Sequence, residues 1–291
     1  MNRKKVLFYR TLWGVNLDFK NVQSVREKLL SFKNKGFNGV EIATGFFPSE
    51  HKETMKQLLG EVGLKCITQI HTMGYPVQSF SVNEHFEDFK AKVEQALEWS
   101  PDVINSHTGR DDWSKEDNFE LFEKISNLEH KLYHSSNVIC KIVHETHRQR
   151  VLYSPSISYA IMKQFPYINF AADLSHWVVV NGRLCDENTV ANWKEILEIL
   201  SKRTVLIHAR VSTTENIQAI DPFSKDNTEN RIFYETIWKQ IYKNSDSDII
   251  YVDPEYGPYP YASVDANTDR PYIDVEEVVD KSLEQLKRIL V

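Results

Sequence analysis

Cysteine is scarce in this chain. Its three copies among 291 residues, Cys66, Cys140 and Cys185, lie far apart and none has CxxC spacing. That excludes a disulfide framework and a thiolate zinc site, and it fits a reducing compartment, so the cytoplasm is the expected location. Long apolar runs are also missing. The stretch Val6 to Tyr9 that follows the basic N-terminal segment Asn2 to Lys5 is too short for the core of a signal peptide. Trp177 to Val180 falls far below the roughly 18 residues of a membrane-spanning helix, so no membrane partner is expected. There is no excess of basic charge: the formal net charge is −6 and the Lys and Arg residues are scattered. Such a balance leaves no electrostatic footprint for a polyanion and argues against a nucleic-acid partner. No Pro/Gly/Ser-rich linker or low-complexity block divides the chain, and its 41% hydrophobic content can supply one large core, so residues 1–291 are read as a single domain.

Short apolar runs alternate with amphipathic stretches from one end to the other. The strand candidates are Val6 to Arg10, Gly39 to Ala43, Leu64 to His71, Val103 to His107, Val138 to Glu145, Ile168 to Asp173, Thr204 to His208 and Asp248 to Asp253. Helical patterns lie between them at Val25 to Lys35, Glu53 to Val62, Glu84 to Trp99, Lys115 to His134, Ile157 to Gln164, Thr189 to Leu200, Arg231 to Lys243 and Val275 to Leu290. Strand interiors such as Val-Ile-Cys-Lys-Ile-Val are nearly continuous in apolar character, as parallel strands covered on both faces are. Eight strand–helix units in this length, with no Gly-rich phosphate fingerprint after the first strand, predict a closed (β/α)8 TIM barrel of the α/β class rather than an open doubly wound sheet.

In such a barrel side chains converge on one mouth at the C-terminal ends of the strands. Six successive strand ends carry an ionisable residue there: His71, His107, Glu145, Asp173, His208 and, just past the eighth strand, Glu255. Carboxylates gathered at one buried mouth repel one another unless a cation neutralises them. Glu145, Asp173, His208 and Glu255 form an oxygen-rich set with one imidazole and no thiolate, which suits one divalent metal. Mn²⁺ is the first choice, with Mg²⁺, Co²⁺ or Zn²⁺ as alternatives. His176, three residues after Asp173, is expected to point into the same mouth from the loop. Arg210 has the strand parity of His208 and could neutralise an oxyanion.

At these residues the sequence resembles the xylose-isomerase-like TIM barrel superfamily, which includes sugar isomerases and epimerases, inosose dehydratases and, more remotely, endonuclease IV. The resemblance covers nearly the whole chain and rests on Gly36-Phe-Asn-Gly-Val-Glu-Ile42, Glu145, Asp173-Leu-Ser-His176, His208 and Glu255. It implies a metal-dependent sugar isomerase or epimerase acting on a sugar or polyol by proton transfer. In that family the metal chelates the carbonyl and a neighbouring hydroxyl and stabilises an enediolate, so Glu145 and Glu255 would be the acid/base pair. His176 matches a substrate-binding His, and family members often form homo-oligomers. Two alternatives follow from the same resemblance: a lyase of the inosose dehydratase kind, and a zinc phosphodiesterase like endonuclease IV, where His71 and His107 match added zinc ligands. The sequence departs from the epimerases at Thr214, where they usually carry an Arg that Arg210 would replace. It departs from endonuclease IV at Asp221-Pro222-Phe223, where that family has an Asp-x-His pair.

Further candidates flank these positions. His71 and His107 at the mouth are candidate substrate contacts, and Glu41 is expected to bind substrate or to pair with a basic residue inside the barrel. His147 shares the side of Glu145 if the strand continues, whereas His144 faces the helix layer. Arg148 and Arg150 could grip a phosphate or carboxylate or be solvated loop charges. The aromatics Trp13, Phe46, Phe47, Tyr75, Trp113, Trp177, Tyr256 and Tyr259 concentrate in loops after strands and suit the walls of a carbohydrate pocket, with Trp113 the candidate contact to substrate. The segment from Asp253 to Tyr272, rich in Pro and Tyr, reads as an ordered lid or interface.

Overall fold

The computed structural model describes residues 4–75, 80–135 and 140–291. In chain order the elements are β1 (Lys5–Thr11), α1 (Val22–Lys35), β2 (Gly39–Ala43), α2 (Lys52–Val62), β3 (Lys65–His71), α3 (Val82–Leu97), β4 (Val103–His107), α4 (Lys115–Ser135), β5 (Lys141–Glu145), α5 (Pro155–Gln164), β6 (Asn169–Ala172), α6 (Ser175–Asn181), α7 (Trp193–Arg203), β7 (Thr204–His208), α8 (Thr228–Asn244), β8 (Ile249–Asp253) and α9 (Val275–Leu290). The eight strands are parallel, pair in sequence order and close into a barrel through β1 and β8, where Lys5 to Phe8 lie opposite Ile249 to Val252. The predicted (β/α)8 barrel is therefore found. Val138 and Ile139, placed at the start of the fifth strand, lie outside the described residues, as do Asn2 and Arg3.

Two local differences from the sequence pattern have clear causes. The described residues contain nine α-helices rather than eight, because Ser175 to Asn181 winds a short extra helix directly after β6. The helix expected from Thr189 begins at Trp193 instead. Asp186 accepts hydrogen bonds from the backbone N–H groups of Asn188 and Thr189, and Asn192 adopts φ of 60°, so residues 186–192 form a turn that cannot be helical.

Strand alternation divides the core into two shells. Even-numbered residues such as Val40, Ile42, Phe170, Ile250 and Val252 face the helices and belong to the main hydrophobic cluster. Tyr9, Ile67, Val103, Val143, Ala171, Leu206 and Tyr251 form a separate cluster that fills the barrel interior. Two residues further along each strand, the same parity brings Thr11, Glu41, Asn105, Glu145, Asp173, His208 and Asp253 above that plug. The hydrophobic interior thus stops one layer below the mouth, and a layer of buried polar groups takes over.

Candidate metal centre and active site

Strand register brings the polar residues into contact. His71 lies opposite His107, His208 opposite Asp253, and Thr11 opposite Glu41. Glu145, at the end of β5, is the hub: its Oε2 accepts a hydrogen bond from Asn105 Nδ2 at 2.6 Å, lies 2.8 Å from His107 Nε2 and 3.5 Å from His208 Nδ1. Glu255, two residues beyond β8, reaches back so that Oε2 stands 3.2 Å from the same His208 Nδ1. Its other oxygen pairs with Arg210 Nη2 at 2.6 Å, and Arg210 Nε is 3.3 Å from Asp173 Oδ2. His176 Nε2, from the first turn of α6, is also 3.3 Å from Asp173 Oδ2.

Glu41 sits on the other side of His208, with Oε2 at 3.1 Å from Nε2 and Oε1 accepting a hydrogen bond from Asn105. Its partners are thus a histidine and an amide inside the barrel. His147 does share the side of Glu145, with its ring 4.3 Å from His107 and 4.0 Å from His176. His144 faces the helix layer as its parity requires, bonded to Glu129 on α4 and to Thr108.

Charge makes this cluster unusual. Glu41, Glu145, Asp173, Asp253 and Glu255 are all buried, and the buried guanidinium of Arg210 touches two of them, Asp173 and Glu255. Burial raises a carboxyl pKa, but His107 and His208 beside Glu145 outweigh it and hold that group well below the ordinary range. Asp173 is likewise held low against burial by Arg210 and His176. At Asp253 the balance is reversed: burial, with Glu41 adding to it, outweighs His208 and Arg10 and pushes its pKa well above the usual value, and both its oxygens lack a hydrogen bond. Burial disfavours the imidazolium of His208, yet Glu41, Glu145 and Glu255 push its pKa well above normal.

These groups fit a divalent cation. The two nitrogens of His208 lie close to carboxylate oxygens without aligned hydrogen bonds, and Glu255 Oε2 is buried without a donor. Ligand atoms of Asp173, His208 and Glu255 lie within 4.8 Å of one another, as do those of Glu145, Asp173 and His176, and those of His107, Glu145 and His147. Carboxylate oxygens and imidazole nitrogens suit a hard or borderline metal.

Glu41, Glu145, Arg210 and Glu255 of the cluster lie in the floor of a cavity of about 1010 Å³ that is also lined by His71, His107 and His147 and by Trp13, Phe46, Phe47, Tyr75 and Tyr261, while Asp173, His176 and His208 are buried outside its lining. Arg210 lies under two of these rings, 5.7 Å from Trp13 and 4.7 Å from Tyr261, the latter supplied by the segment after β8. Gly257 is required for that arrangement, because a Cβ there would stand 1.9 Å from the Trp13 ring.

Several expected residues lie elsewhere. Trp113 is not in the cavity wall: it turns onto α3, edge-on to His85 with ring centres 4.4 Å apart, where it packs with the apolar cluster of α3 and α4. Trp177 is fully buried, donating to the Leu152 carbonyl, and Tyr256 is buried with its hydroxyl on the Ile220 carbonyl. Arg150 is buried over Tyr75, with its guanidinium spent on the carbonyls of Thr72, Gly74 and Gly109. It serves loop structure, whereas Arg148 is exposed at the mouth over Tyr261. Asn105 and Asp253 belong to the cluster although the sequence pattern did not single them out; each lies two residues before a strand-end candidate and shares its parity.

No protein-family model matches the chain, and no curated protein does. Solved structures match along nearly its full length. One is D-allulose 3-epimerase from Methylomonas sp. in complex with D-allulose, at 13% identity and TM-score 0.62 over 98% of this chain and 97% of that one. A xylose isomerase-like TIM barrel protein from Mycobacterium smegmatis in complex with magnesium matches at 10% identity and TM-score 0.61, over 99% and 97%. The probable 3-DHS dehydratase AsbF of petrobactin synthesis from Bacillus anthracis matches at 14% and 0.58, over 98% of each chain. The chain has the fold of the xylose isomerase-like TIM barrels.

Proposed function

We propose that the protein is a divalent-metal-dependent sugar isomerase or epimerase, in which Glu145 and Glu255 form the acid/base pair. The observation that carries this is the convergence of the two carboxylates, from β5 and from beyond β8, on one nitrogen of the buried His208, with both carboxylates lining a large cavity. Glu145, Asp173, His208 and Glu255 would hold the cation, which would polarise the substrate's carbonyl and an adjacent hydroxyl and so acidify the C–H between them. One carboxylate then removes that proton and the other returns it. Asn105 and His107 orient Glu145, and Arg210 orients Glu255, so each carboxylate presents a defined oxygen. Trp13 and Tyr261, whose rings lie against Arg210, cover the floor and keep bulk water from the reacting carbon. D-allulose 3-epimerase and a D-psicose 3-epimerase crystallised in the presence of D-fructose share the fold, which supports a ketose or related polyol as substrate. Mn²⁺ is proposed as the resident ion and the cytoplasm as the compartment.

A ketose panel in deuterated buffer with Mn²⁺, followed by NMR, tests this. Deuterium should enter at the carbon next to the carbonyl, and Glu145→Gln or Glu255→Gln should slow exchange by about 100-fold or more. A new unsaturated product would instead mark a lyase, the reaction class of the dehydratase that shares the fold.

A second reading is favoured by one observation, the overlap of three potential ligand groups through Glu145 and Asp173. Such a chain of sites could hold more than one zinc ion and hydrolyse a phosphodiester. Two or three zinc ions per chain, with cleavage of an abasic oligonucleotide and no deuterium exchange into ketoses, would establish that reading over the first.

A further inference from the structure

The cavity is larger than a free monosaccharide requires. About 1010 Å³ is the upper end of the roughly 300–1,000 Å³ of pockets that enclose drug-sized ligands. Glu41, Glu145 and Glu255 are gathered on the floor, and the loops following β1 and β2 add a mainly apolar wall of Leu12, Val15, Leu17, Phe19, Phe46 and Phe47, together with Asn16, Asp18 and Lys20. From residue 15 to 20 the chain alternates, with Val15, Leu17 and Phe19 half-buried and Asn16, Asp18 and Lys20 exposed, so the apolar side chains are the more enclosed part of this wall.

This wall is built rather than loosely draped. Five of the six pack on the main core; Phe19 is edge-on to Phe47 at 5.7 Å and stacked on His51 at 4.5 Å, and Phe47 is edge-on to Trp99 at 5.3 Å. It is also continuous with the chemistry. Phe46, 67% exposed, meets His71 at 5.3 Å, His71 meets His107 at 4.3 Å, and His107 touches Glu145. An apolar wall facing the same cavity as an acidic floor fits one molecule with both characters.

We propose that the substrate carries a bulky apolar substituent, an aryl or alkyl group attached away from its reacting carbonyl, and that the loops after β1 and β2 form the subsite for it. This rests on the sugar reading above. It is tested by calorimetric binding, with Mn²⁺ present, of D-fructose, D-tagatose and D-allulose, their 6-O-benzyl ethers, and benzyl alcohol alone. At least one ether should bind about tenfold or more tightly than both its parent ketose and benzyl alcohol. Phe46→Ser and Leu17→Ser should remove that gain and leave parent-ketose binding within twofold; Phe46 is exposed enough for the first variant to fold. Equal binding of ketose and ether would overturn the subsite while leaving the sugar reading intact. Equal binding of ether and benzyl alcohol would overturn the proposal through its sugar half, and binding of none of the probes would overturn both.

Discussion

Arg210 Nη2 lies 2.6 Å from Glu255 Oε1 while its Nε stands 3.3 Å from Asp173 Oδ2, so one guanidinium ties the end of β8 to the end of β6 across the barrel mouth. Burial disfavours its charge, but Glu255 and Asp173 raise its pKa above the ordinary value. Replacing it by Met leaves two buried carboxylates with only the imidazoles of His176 and His208 beside them, and breaking a buried pair in this way costs about 3–5 kcal/mol. Arg210→Met should lose that much in urea unfolding without added metal, and millimolar Mn²⁺ should return part of it by supplying the missing positive charge. A variant as stable as the parent would show that the pair contributes little.

Cation binding should stabilise the fold. Ligand at 100 times its Kd adds about 2.7 kcal/mol, and each kcal/mol raises the melting temperature of a chain of this size by about 2–4 °C. Differential scanning of chelator-treated protein should therefore show an upward shift of several degrees on adding Mn²⁺. Asp173→Asn and Glu145→Gln should each abolish most of the shift. A shift of equal size in both variants would place the ion elsewhere.

How much of this was legible in the sequence follows from the geometry of strands. Glu145, Asp173 and His208 were readable because a parallel barrel strand turns every second side chain inward and ends at the mouth, so residue type at a strand end carries position as well as chemistry. Asn105 and Asp253 obey the same parity and could have been found by stepping back two residues from His107 and Glu255. The loops offer no such period. Trp113 and Trp13 look alike in sequence, both shortly after a strand, yet one turns onto α3 and the other covers Arg210. Arg148 and Arg150 diverge as sharply, one exposed at the mouth and one buried on three carbonyls. Gln218, eight residues further along the chain than the Arg210 it meets, had no local signal at all.

His85, on α3 behind the site, should give the fold an acid sensitivity. Burial, with Arg150 and Arg110 nearby, lowers its pKa from 6.5 to about 4. The folded state thus binds fewer protons than the unfolded chain between those values, so stability is full above pH 6.5 and falls as pH drops toward 4. The gap corresponds to about 3 kcal/mol. In metal-free protein, the urea-derived stability of His85→Gln should fall less than that of the parent between pH 7 and pH 4.5. Parallel curves would mean that His85 titrates normally.

Two glycines give opposite expectations for the same substitution. Gly257 donates its N–H to Gln218 Oε1 at 2.8 Å and accepts from Gln218 Nε2 at 3.0 Å, while Gln218 also meets Arg210 Nη1 at 3.4 Å. A methyl at Gly257 must displace the Trp13 ring, which covers Arg210, and overpacking of this kind costs about 1–3 kcal/mol. Because Glu255 lies two residues away and is held by Arg210, Gly257→Ala should weaken Mn²⁺ binding as well as stability. Gly60 lies inside α2 with open space around it, so Gly60→Ala should stabilise by up to about 1 kcal/mol through helix propensity and leave Mn²⁺ affinity unchanged. Urea unfolding and Mn²⁺ titration of the pair separate the two effects. If Gly257→Ala lost stability but kept parental Mn²⁺ affinity, the link from Trp13 through Arg210 to Glu255 would be structural only.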